Sequence, residues 1–87
     1  MATFVAECYW PGVTQETLRA ARARVRAATP ERPGAPVHFL GVLLIVADEV
    51  AFWRFEADAP EVVHEVSRAA GLSFDRILEC RELPAAS

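Results

Sequence analysis

An arginine and a glutamate stand two residues apart in the apolar run VAFWRFEAD at 50–58, and they are the first residues here that could do chemistry. Successive side chains of a strand alternate, so Arg54 and Glu56 share a face. A guanidinium holds a carboxylate through two parallel hydrogen bonds. Crowded or buried carboxylates keep protons to higher pH, which makes one of them a candidate general acid or base. Glu7 and Tyr9 in TFVAECYW and Glu79 in FDRILEC are the other groups of this character. His38 and His64 are the only imidazoles, and imidazole with carboxylate oxygen suits nickel and other divalent ions. Cys8 and Cys80 form no CxxC, which argues against a thiolate zinc site. No HxH or HxxxH spacing, Ser-His-Asp order, Walker loop or GxGxxG is present. Chemistry here would rest on a cavity and acid–base groups.

The elements that must position these residues are legible from periodicity. Residues 3–10 alternate and are rich in strand formers, and Pro11-Gly12 stops them. Thr14 caps a helix to about Ala28, with Leu18, Ala21, Val25 and Ala28 as its apolar stripe. TPERPGAP at 29–36 reads as a loop. Residues 37–46 and 50–57 read as strands joined by a two-residue turn at Asp48-Glu49. Asp58 and Glu61 fit a capping box for a second helix, with Pro60 in its first turn and Gly71 just past its end. FDRILECREL at 74–83 reads as the fourth strand. The order β-α-β-β-α-β is that of an α+β, ferredoxin-like fold, with both helices on one face of a four-stranded antiparallel sheet.

The 87 residues suit one domain, 1–87. A chain this short buries only ~60% of its unfolded surface, yet 53% of its residues are apolar. Burial between copies would resolve that mismatch. The net charge of −3 argues against nucleic acid as a partner. All nine cations are arginine, which we read as the codon bias of a GC-rich genome. No basic leader opens the chain, and FLGVLLIVA falls short of the ~20 residues that span a bilayer, so no membrane and a cytoplasmic location are expected.

A two-residue turn at 48–49 pairs Ile45 with Phe52 and Leu43 with Arg54. The face away from the helices then carries Phe39, Leu43, Ile45, Phe52, Arg54 and Glu56, beside Val5, Glu7 and Tyr9 of the first strand and Ile77 and Glu79 of the fourth. An exposed apolar patch of this kind marks an interface. The expected cover is the same face of a second copy, giving a homodimeric α+β barrel with Arg54 and the carboxylates around its cavity. The plainer alternative is a rim salt-bridge network. His38 falls at a strand end and His64 on the polar side of the second helix, where surface roles are the plainer reading. Cys8 and Cys80 are expected as neighbours under the helices, as inert packing. Arg19, Arg22, Arg24 and Arg26 are expected as a solvated helix face.

The strings ECYWPGVT at 7–14, VHFLG at 37–41, FWRFEA at 52–57 and AAGLSFDRILE at 69–79 together resemble a family of small bacterial domains of uncertain function, some of them described as nickel-binding proteins. The resemblance covers nearly the whole chain. It implies a ferredoxin-like dimer and a small dimeric binding protein that holds nickel, another divalent metal or a small ligand. A cofactor-free enzyme of the cyclase or isomerase type and a dimerisation or regulatory module are the alternatives.

Overall fold

A computed structural model describes residues 1–29, 34 and 36–86. Four strands and two helices follow one another as β1 (Ala2–Tyr9), α1 (Gln15–Ala28), β2 (Val37–Ile45), β3 (Val50–Ala57), α2 (Pro60–Ala69) and β4 (Arg76–Cys80). The strands form one antiparallel sheet in the order β2-β3-β1-β4. This is the α+β, ferredoxin-like arrangement. The molecule is a slab measuring 36 × 34 × 19 Å, its thin dimension matching one sheet and one layer of helices.

Local chemistry sets most of the boundaries. Thr14 and Thr17 cap α1 reciprocally: the Thr17 N–H donates to Thr14 Oγ1 at 3.1 Å, and the Thr14 N–H donates to Thr17 Oγ1 at 2.9 Å. The expected Asp58–Glu61 capping box at α2 does not form. Pro60 takes the first turn of the helix, which makes Ala59 the N-cap, and its side chain has nothing to donate or accept. At the other end Gly71 adopts φ +74°, and its N–H reaches Arg68 O at 3.0 Å. The Leu72 N–H reaches Ser67 O at 3.0 Å, which completes a Schellman cap.

Strand β3 alternates without a break. Ala51, Trp53, Phe55 and Ala57 are buried, and Phe4, Ala6 and Cys8 of β1 continue that face. Ala21 and Val25 of α1 and Val63 and Val66 of α2 close over it. The expected two-residue turn is replaced by four turn residues, 46–49, with Ile45 opposite Val50. A two-residue primed turn needs positive φ at its first central residue (type II′) or at both (type I′), and Asp48 does not adopt it. Of the pair only Glu49 does, at φ +54°. The register moves by two residues, an even number, so Leu43, Ile45, Phe52 and Arg54 keep their expected face.

Two other face assignments are overturned. The first concerns β2, where the pairing slips between Phe39 and Gly41, leaving Leu40 without a cross-strand partner. Gly41 takes φ +134°, a conformation open to glycine. The bulge turns Phe39 onto the helix side, where its ring lies 5.4 Å from Phe55 and 6.1 Å from Trp53. It turns His38 onto the free face opposite Glu56. The second concerns β4. Asp75 pins the strand, its N–H donating to Glu7 O and its Oδ2 accepting the Tyr9 N–H, both at 2.7 Å. Arg76 then lies opposite Glu7, Ile77 opposite Ala6 and Glu79 opposite Phe4. Ile77 therefore joins the core, while Leu78 and Cys80 turn to the free face. Cys8 and Cys80 end on opposite faces and are not neighbours.

Candidate functional site

The free face of the sheet is built from the odd positions of β1, the even positions of β3, and the strands on either side of them. Val5, Val50, Phe52 and Leu78 are half-buried there. Tyr9 and Leu43 are more than half exposed, at 58% and 56%. Arg54 sits among them, opposite Val5 on one side and Gly41 on the other. Its Nη2 donates to Glu82 Oε2 at 3.2 Å, a partner from the segment after β4. Glu7, Glu56 and Glu79 were the expected partners. Glu7 is instead held by Arg76, whose Nε and Nη2 donate to its two carboxylate oxygens at 2.9 and 3.4 Å. Glu79 belongs to the opposite face. The cluster of three carboxylates around one arginine is therefore not formed.

Arg54 nevertheless lines a groove. Leu40, Gly41, Leu43, Cys80, Arg81 and Glu82 border it with Arg54, enclosing about 490 Å³ of shallow space. The arginine is 36% exposed and its glutamate 77%, so the pair is a surface contact worth about 0–1 kcal/mol. A ligand carboxylate offering two oxygens would compete well against it.

The two imidazoles are separated by the sheet. His38 lies on the free face. His64 lies on α2, with Nδ1 3.4 Å from Arg68 Nη2 and its ring edge-on to Phe74 at 4.7 Å. One ion cannot use both. No group of three His, Cys, Asp or Glu side chains converges among the described residues.

Several features carried no sequence signal. Glu49, in its left-handed conformation, accepts the Gly12 N–H on Oε2 and the Trp10 N–H on its carbonyl, both at 2.7 Å. Arg24 is exposed with the rest of that helix face, and its Nε also donates to Ala70 O at 3.0 Å. Trp53 Nε1 and Ser67 Oγ are buried without a hydrogen-bond partner. On the helix side of the sheet, Cys8, Trp10, Arg24, Trp53, Leu72 and Ser73 border a cavity of about 180 Å³.

Burial pushes the Cys8 thiol up from 9.0 to about 11, and the charges of Asp75 and Glu7 add to this. The indole N–H of Trp53 works in the opposite sense, without reaching the geometry of a bond. A raised thiol pKa means that the unfolded chain ionises first. Stability from this group is intact below pH 9 and declines between pH 9 and 11, by ~2–3 kcal/mol at the upper end. Urea melts of the wild type and Cys8→Ala across this range should diverge below pH 9 by a constant and converge above it. A constant difference throughout would show the thiol to be unshifted.

The chain is similar in structure to SCO4226 from Streptomyces coelicolor A3(2), known from a crystal structure. The two are 25% identical, with a TM-score of 0.73 over 99% of this chain and 100% of that one. No family model and no curated protein matches the chain. No helix among the described residues is long and apolar enough to cross a membrane.

Proposed function

We propose that this chain is a small homodimeric binding protein whose two free sheet faces meet and enclose a ligand beside Arg54. The observation that carries this reading is the composition of the free face. Leu43, Ile45, Val50 and Phe52 adjoin one another on this face, and Val5 and Leu78 pair beyond Arg54 and Glu7, on a slab only 19 Å thick. Patches of this kind mark interfaces, and burying each large side chain fully contributes about 1.5–3 kcal/mol. The ion pairs Arg54–Glu82 and Arg76–Glu7 lie on the same face and supply polar contacts. A small anionic ligand at Arg54 would displace Glu82. Light scattering is expected to give a dimer at micromolar concentration, and a monomer there would end this reading.

A metal ion is the second reading, favoured by one cross-strand pair. His38 stands opposite Glu56 on the free face, an imidazole beside a carboxylate. Two donors do not complete a site, and a single chain does not fit the ion. A second copy facing the first would double the set. Nickel titrated into untagged protein should therefore bind weakly, at micromolar Kd or above, and binding should disappear in His38→Ala. Tight binding that survives both His38→Ala and His64→Ala would show the imidazole assignment to be wrong.

A further inference from the structure

The sheet has two edges, β2 and β4, and they are built differently. An edge strand presents a row of backbone N–H and C=O groups that a further strand could pair. Proteins ordinarily blunt such edges by keeping them short or by charging them. β4 is blunted in both ways: it has five residues, and Arg76 and Glu79 are among them. β2 is blunted in neither. It has nine residues, VHFLGVLLI, with no proline, carboxylate, lysine or arginine. Its bulge at Leu40–Gly41 bends the strand, but Gly41–Ile45 beyond the bulge keeps an unbroken register with β3. Apolar side chains stand exposed along it: Leu40, Leu43, Ile45 and, directly after the strand, Val46 at 77%. No strand lies beyond β2 among the described residues.

A bare edge of backbone groups is completed by another strand. Three observations select a second copy of this chain as its source. Leu43 and Ile45 belong to the edge and to the free face at once, so a cover for one continues over the other. A pair of five-residue strands falls far short of the ~1,200 Å² that a stable interface buries, so the edge contact must belong to a larger one. The strand carries no carboxylate or guanidinium, so two copies lie side by side without like charges opposed.

From these observations we propose that β2 pairs with β2 of a second copy, antiparallel, along one seam of the dimer. A two-fold axis between the faces, running across the strands, lays β2 beside its reversed copy. Sheets joined at a corner need a bend there, and the bulge in β2 supplies one. The charged β4 edges stay apart, so the dimer opens on the side where Cys80, Arg81 and Glu82 border the Arg54 groove. The inference rests on the face-to-face dimer and adds backbone hydrogen bonds to it.

Native-state hydrogen exchange, followed by NMR, is the test. From Gly41 to Ile45 every second amide points away from β3. In the wild-type dimer these amides are expected to exchange at least ~100-fold more slowly than in the Phe52→Glu monomer. The outward amides of β4 should exchange equally fast in both. They are also a reference within the same molecule, so the result stands even if Phe52→Glu fails to fold. A wild-type dimer whose outward β2 amides exchange as fast as those of β4 would overturn the proposal and leave the dimer standing. Protection of the outward β4 amides in that dimer would overturn the pairing of β2 with itself. Light scattering on the same samples reports the dimer separately, and a monomer there would remove both ideas.

Discussion

Phe52→Glu is expected to turn the protein into a folded monomer. Phe52 lies at the centre of the free face, between Leu43 of β2 and Glu7 of β1. None of the buried core residues under the helices is touched by the change. In the dimer, each copy would lose about 1.5–3 kcal/mol of apolar burial and would carry a charge into the interface at further cost. The two-fold axis applies this twice, so dissociation by more than ~100-fold is expected. The new carboxylate would also oppose Glu7 directly, and like charges across a strand pair repel. Phe52→Lys separates the two effects, because lysine would pair with Glu7 yet still place a charge in the interface. Both variants should be monomeric by light scattering and keep their far-ultraviolet circular dichroism. A dimer that survives both substitutions would place the interface elsewhere.

Trp53→Ala is expected to have the largest effect on stability. The side chain is among the largest that are wholly buried, and it packs against Phe39. Removing it costs about 3–5 kcal/mol through lost burial and the cavity left behind. A small domain has only about 5–15 kcal/mol in total. At about 4–8 °C per kcal/mol, the melting temperature should fall by more than ~12 °C. Trp53→Phe keeps most of the apolar volume and removes the orphan Nε1–H. Its cost should stay below about 1.5 kcal/mol, because a buried donor without a partner is itself unfavourable. Chemical denaturation of the three proteins side by side is the check. A Phe variant as damaged as the Ala variant would mean that the indole N–H has a partner that stabilises the fold.

What the sequence determined by itself is the element order, and hence the fold. Strand β3 alternates strictly, α1 carries a single apolar stripe, and Pro11-Gly12 and Gly71 punctuate the chain where a continuing element would be strained. These are local signals, and each works over one element. The face of Arg54 was legible for the same reason: Trp53 and Phe55, its neighbours in sequence, belong to the core.

The partners of Arg54 were decided only in three dimensions, because which strand faces turn together depends on register, and one inserted residue reverses it. In β2 the apolar run from Phe39 to Val46 offers both faces equally, and the bulge at Leu40–Gly41 chooses. Gly41 inside the strand was the visible sign of that bulge. In β4, Ile77 and Leu78 are adjacent and both apolar, so alternation alone cannot rank them. Asp75 settles the matter through backbone bonds to β1, some seventy residues away in sequence. Glu7 therefore goes to Arg76, Arg54 goes to Glu82, and Glu79 leaves the site. The helix-side cavity has the same origin. It exists because β1, α1 and the turn after α2 converge on Cys8 and Trp53, a meeting of distant segments that no local pattern encodes.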